Sequence, residues 1–125
     1  MSAPPVIGIV DDEEDFRRAV ARLLRAHEFQ IEGFGSGADF LSEAENRRFD
    51  CVLLDLLMPG MSGLDVLAAL YGNPDAPPAI VVSGQDDPDL FDRAKALNAF
   101  ECHSKPIGQD TLLGAISRAL QLRHS

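Results

Sequence analysis

The sequence predicts an α/β fold, a doubly wound parallel sheet with helices on both faces. Strand signals alternate with segments of helical periodicity five times along the chain. The first, third and fourth runs are apolar at nearly every position, as suits strands covered on both sides. A third observation places a site on this frame. One run, Val6-Ile7-Gly8-Ile9-Val10, leads into Asp11-Asp12, and another, Cys51-Val52-Leu53-Leu54, leads into Asp55. A carboxylate at the tip of a buried strand does nothing for the core. It faces the crevice outside the carboxyl ends of the strands, where open α/β sheets bind ligands.

Taken in order, residues 6–10 form the first strand. The spacing of Phe16, Val20, Leu23 and Leu24 predicts a helix over 13–27, with acids at its start and arginines in its later turns, as the helix dipole prefers. Residues 30–34 make a short second strand. Ser36 is placed to cap the next helix, whose Phe40 and Leu41 turn inward. Residues 51–54 are the third strand. A helix over 63–71 stops at Gly72-Asn73-Pro74. Pro77-Pro78 leads into a fourth strand over 79–82. Asp87-Pro88 reads as an N-cap followed by a first-turn proline, ahead of a helix over 90–97. Residues 100–103 are a short fifth strand. The last helix is expected over 109–120, with Leu112, Ala115, Ile116 and Ala119 at core spacing.

The 125 residues amount to one ordinary domain, spanning 1–125 with an ordered core over about 5–121. A hydrophobic content of 46% supports a sizeable core. No apolar stretch is long enough for a membrane span, and the first residues lack the features of a signal peptide, so a cytoplasmic location is expected. The chain stops soon after the last helix, which fits either a complete protein or one parted from a downstream domain. With 20 acids against 11 Lys and Arg, the net charge is −9, which disfavours direct binding to nucleic acid. The run Asp11 to Asp15 supplies part of that charge and reads as a solvated patch except in its first members. Cys51 and Cys102 lie in separate apolar segments and read as free thiols.

Three carboxylates at the ends of two buried strands suggest a hard cation and phosphoryl chemistry. Without a cation, such a cluster should raise at least one carboxyl pKa. Ser83-Gly84 follows the fourth strand and Lys105-Pro106 the fifth. Taken alone, the serine reads as a turn residue and the lysine as a surface side chain. The set D-D, D-x-x-M-P-G, S-G and K-P, each at its own strand end, resembles the receiver domain of bacterial response regulators, the CheY-like family of two-component signalling. The likeness covers nearly the whole chain.

That resemblance implies a flavodoxin-like sheet of order 2-1-3-4-5 with five helices. It implies a phosphorylation-controlled switch and not an enzyme acting on a separate substrate, although the domain assists its own phosphorylation and dephosphorylation. Asp55 would be the phosphoacceptor, an acyl phosphate forming on its carboxylate. Asp12, Asp55 and the backbone carbonyl of Leu57 would bind Mg²⁺, with Asp11 acting through a metal-bound water. Lys105 and the Ser83 hydroxyl would meet the phosphoryl oxygens, and the Lys105–Pro106 bond would be cis. The partners implied are a sensor histidine kinase or phosphotransfer protein, a downstream effector and a phosphorylation-dependent second copy. Kinase docking would fall near the first helix, where Arg18, Arg22 and Arg25 share a face.

The chain departs from the family where Cys102 replaces the usual aromatic residue three before the lysine, so an output switch without an aromatic gate is expected. Leu57 is also more apolar than is common there, and it could hinder the water that attacks an acyl phosphate. The rival reading is a small phosphohydrolase with Asp55 as nucleophile. Such enzymes want a second acid two residues on, where Leu57 stands. A nucleotide-binding flavodoxin is disfavoured by the lack of a glycine-rich phosphate loop.

Overall fold

The computed structural model describes residues 3–84 and 87–124. Their order is β1 (Val6–Val10), α1 (Glu14–Ala26), β2 (Gln30–Phe34), α2 (Gly37–Ala44), β3 (Cys51–Leu54), α3 (Gly63–Leu70), β4 (Ala79–Ser83), α4 (Pro88–Ala96), β5 (Glu101–Ser104) and α5 (Gln109–His124). The five strands form one parallel sheet of order β2-β1-β3-β4-β5. This is the doubly wound, flavodoxin-like arrangement expected.

In the three central strands, β1, β3 and β4, side chains alternate between two cores although these strands are apolar almost throughout. Ile7, Ile9, Cys51, Leu53, Ile80 and Val82 pack beneath α1 and α5. Val10, Val52, Leu54, Ala79 and Val81 pack on the other face, against Phe40, Val66, Leu67 and Ala94 from α2, α3 and α4. Burial on both faces explains why these strands read as continuous apolar runs. Cys51 is free and fully buried, and burial pushes its thiol up to about 12, so it behaves as a core residue.

Several boundaries differ from the sequence expectation, for local reasons. Glu13 and His27 are the caps of α1 and lie outside it. Tyr71 caps α3 with extended backbone, φ −61° and ψ 131°, instead of extending it. Helix α4 begins at Pro88, because Asp87 accepts hydrogen bonds from the Asp89 and Leu90 N–H groups and so starts the helix two residues early. Strand β5 is shifted one residue on, and Ser83 belongs to β4 itself. Helix α5 continues to His124. Ser36 caps α2 as expected, accepting from the Asp39 N–H at 3.2 Å. The Lys105–Pro106 bond is cis, as the family resemblance implied. Positions 85 and 86, which follow Ser83-Gly84, lie outside the described residues.

Strand register positions the site. Strands β1 and β3 are neighbours, with Val10 paired to Leu54. The next residues, Asp11 and Asp55, therefore emerge side by side, and the Asp55 N–H donates to the Val10 carbonyl at 3.0 Å. The loop after β3 folds back closely. The Gly63 N–H donates to the Leu56 carbonyl at 3.0 Å, and a Cβ on Gly63 would collide with the Asp55 carbonyl oxygen and the Leu56 backbone. Only glycine lets the start of α3 lie against the phosphoacceptor candidate. Gly63→Ala is expected to cost about 1–3 kcal/mol by overpacking, since backbone atoms cannot give way as side chains do. Chemical denaturation of the two proteins measures this, and an unchanged midpoint would contradict the close approach.

Candidate functional site

The carboxyl edge of the sheet gathers acids from two strands. Asp11 is 1% exposed and Asp55 4%, while Asp12 beside them faces solvent. One carboxylate oxygen from each of the three lies within 4.8 Å of the others. Two buried acids and one exposed acid this close repel one another strongly. Burial pushes the Asp55 carboxyl up to about 6, and the negative charge of Asp11 adds to that, with a smaller push from Asp12. The Lys105 charge and a hydrogen bond from the Leu57 N–H to Asp55 Oδ1, 3.3 Å long, hold it back from rising further.

Asp11 is fixed from several sides. Its Oδ1 accepts from the Glu13 N–H at 2.9 Å and its Oδ2 from Lys105 Nζ at 2.8 Å. The Arg17 guanidinium donates to its backbone carbonyl at 2.5 Å. Arg17 lies over Gly33 and Gly35 on its way there.

Lys105 enters from the far side of the sheet. Its backbone N–H donates to the Ser83 carbonyl at 2.7 Å, which ties the ends of β4 and β5 together. Its ammonium meets Asp11 and also Glu13 Oε1, at 2.6 Å, and stands 4.2 Å from the centre of the Phe16 ring. Burial alone would pull its pKa down. The hydrogen bonds to Asp11 and Glu13 outweigh burial and hold the ammonium above the ordinary lysine value. Ser83 is fully buried at the end of β4. Leu57 is 46% exposed beside the acids, and Met58 tucks into the core beneath it. The turn through Gly60, φ +74°, leads to Ser62, which caps α3 in a reciprocal pair with Asp65.

Of the residues singled out from sequence, Asp11, Asp12 and Asp55 converge, and Lys105 joins them through Asp11. Ser83 ends the neighbouring strand and Leu57 borders the acids. Sequence reasoning missed Glu13, Phe16 and Arg17. Glu13 was hidden in an acidic run, and Phe16 was counted only among the apolar positions of α1. Contacts to Lys105, so far along the chain, left no local signal.

The donor set fits Mg²⁺. It consists of hard carboxylate oxygens with no thiolate or imidazole among the described residues. Mg²⁺ takes one or two carboxylates and keeps several waters, and exposed Asp12 leaves the cluster open to solvent for them.

Comparison with known proteins agrees with this geometry. The chain belongs to the response regulator receiver domain family, whose model matches residues 7–117. It is 36% identical to the response regulator protein TodT of Pseudomonas putida over 117 residues, covering 94% of this chain and 52% of that protein. The chain thus spans about half the length of the curated relatives it matches. Among solved structures, the response regulator StyR superposes with a TM-score of 0.87 at 32% identity, over 98% of this chain and 62% of that one. The Vibrio cholerae chemotaxis protein CheY4 superposes with a TM-score of 0.87 at 27% identity, over 94% of this chain and all of that one.

The raised Asp55 pKa is also a statement about stability. The folded protein keeps this proton up to about pH 6, whereas the unfolded chain releases it near the ordinary value of 3.8. Stability should therefore fall as pH rises between these values. In metal-free buffer, Asp55→Asn is expected to stabilise the protein by on the order of 1–2 kcal/mol at pH 8. Below pH 4 the gain should vanish. Urea unfolding at both pH values checks this, and a mutant no more stable than the parent at pH 8 would count against the strained carboxylate.

Proposed function

We propose that this receiver domain is a phosphorylation-controlled signalling switch that accepts a phosphoryl group on Asp55 from a phosphohistidine donor, a sensor kinase or phosphotransfer protein. The observation that carries the reading is the buried Asp55 carboxyl, set beside two further acids within reach of a fixed lysine. With its pKa at about 6, Asp55 is mostly ionised at neutral pH and so is available as a nucleophile. One Asp55 oxygen forms the new bond to phosphorus as the bond from phosphorus to the donor nitrogen breaks, its electron pair leaving with the imidazole. Little covalent work falls to the protein, so positioning and charge neutralisation decide the rate.

Asp12, Asp55 and the Leu57 carbonyl would hold Mg²⁺, with Asp11 supporting them from one layer out. Bound there, the ion supplies positive charge against the phosphoryl oxygens. Lys105 offers a second positive charge from the opposite side, and the Ser83 hydroxyl donates a hydrogen bond. The exposed side chain of Leu57 shields the acyl phosphate from attacking water and lengthens its life. The phosphoryl group adds a charge near −2, which biases the face formed by α4, β5 and α5 between two arrangements. On that face Cys102 takes the place of an aromatic gate. Its thiol lies 4.0 Å from the Phe91 carbonyl of α4, so movement of α4 is coupled to β5 by a small contact and not by a swinging ring. A partner protein, a second copy or an attached effector domain reads the change. The net charge of −9 argues against direct nucleic acid binding by this domain.

A hydrolase using Asp55 is the competing class, and Leu57 in the position of its acid argues against it. Incubation with acetyl phosphate and Mg²⁺, followed by intact mass, separates the two. The switch is expected to hold one phosphoryl group per chain, to form no adduct when Mg²⁺ is chelated before the donor is added, and to show none in Asp55→Asn. Undiminished labelling in that mutant, or many turnovers of donor without an adduct, would overturn the assignment.

A further inference from the structure

The reading of Lys105 as a partner of the phosphoryl group raises a question that its surroundings answer. A lysine ammonium has three N–H donors. In this structure one meets Asp11 Oδ2 at 2.8 Å and another meets Glu13 Oε1 at 2.6 Å, while the ring of Phe16 lies 4.2 Å away. Asp55 acts on Lys105 only through space and is not one of its hydrogen-bonded partners. The resting lysine is thus drawn toward the start of α1 and away from the phosphoacceptor. With two donors held by carboxylates and the Phe16 ring against the ammonium, a shift toward a phosphoryl oxygen on Asp55 weakens one of these contacts.

The two carboxylates are unequal candidates for release. The Asp11 side chain is 2% exposed, and loss of its lysine would leave a buried charge poorly matched. The Glu13 side chain is 62% exposed, so water replaces the lysine there at little cost. Glu13 also stands at the N-cap of α1, where an acidic side chain ordinarily accepts from the first-turn N–H groups. It makes no such hydrogen bond. Its backbone is held by its own N–H to Asp11, and its carboxylate turns to Lys105 instead.

We infer that Glu13 is a positioning residue that holds Lys105 off Asp55 in the resting state and yields it when a phosphoryl group arrives. Glu13 then opposes the phosphorylated form, acting as a built-in brake whose strength is that of an exposed ion pair. The inference rests on the role given to Lys105 under the proposed function, and its test separates the two.

The probe is beryllofluoride, a phosphoryl mimic, titrated in the presence of saturating Mg²⁺ and followed by fluorine NMR on the whole chain. Four proteins are compared with the parent: Glu13→Gln, Glu14→Gln, Lys105→Ala, and Glu13→Gln combined with Lys105→Ala. Glu14 is the charge control, since it is exposed at the same helix end and pairs with Arg18 at 3.2 Å. Glu13→Gln is expected to tighten beryllofluoride about two- to fivefold, the span set by an exposed ion pair. Glu14→Gln is expected to change it far less, and the gain from Glu13→Gln should disappear in the Lys105→Ala background. Equal tightening by Glu13→Gln and Glu14→Gln would reduce the effect to net charge and overturn the inference. So would a gain that survives without Lys105. If Lys105→Ala left affinity untouched, the role of Lys105 itself would fall, and the brake with it.

Discussion

The structure depends on the meeting of like charges at the end of two adjacent parallel strands. Because β1 and β3 are neighbours in register, the residues that follow Val10 and Leu54 must emerge together. Both are aspartates, both are buried, and a third aspartate stands beside them. Such a cluster is unfavourable in isolation. The surrounding residues answer it in part: the Leu57 N–H toward Asp55, and the Glu13 N–H and Lys105 toward Asp11. Burial, with the charge of Asp11 adding to it, still leaves the Asp55 carboxyl raised to about 6. Carboxylate oxygens gathered at a solvent-facing edge are the donor type that a hard divalent cation takes.

The same balance links the site to the rest of the fold. Lys105 is anchored by its backbone to Ser83, so the ends of β4 and β5 move with it. Any change in what the ammonium binds is therefore felt where those strands meet α4 and α5. The Glu101 carboxylate on β5 accepts two hydrogen bonds from Arg118 of α5, at 2.6 and 2.9 Å, and contacts His103 at 2.9 Å. The Arg118 contact, with His103 adding to it, holds the Glu101 carboxyl down at about 2. This network ties β5 to α5 through an exposed ion pair, while Cys102 faces α4 near the Phe91 carbonyl.

Much of this was legible in the sequence, and the reason is the burial of the strands. Continuous apolar runs such as 51–54 can hardly be read otherwise when turn residues follow, and a charged residue directly after one stands out. Caps were legible too, at Ser36 and Asp87, since their side chains act within three residues of their own position. Element ends were less so. Ser83 is polar and looked like the start of a turn, but full burial and pairing with Ser104 keep it in the strand. The 2-1-3-4-5 order came from the family likeness, because local periodicity carries no information on which strands are neighbours. The partners of Lys105 were beyond reach for the same reason. Glu13 looks like any member of an acidic run until the fold brings the end of β5 against the start of α1.

The account stands on the claim that the three aspartates form a cation site, and a Mg²⁺ titration followed by amide NMR tests it most directly. Saturable shifts are expected at residues 11–13, 55–57 and 105, with a gain in thermal stability on Mg²⁺ addition that is greatly reduced in a protein lacking the Asp55 carboxylate. Weak, non-saturating shifts spread over the many surface acids would contradict it, since they would mark the ion as a diffuse counterion of an acidic protein and not a ligand of this site.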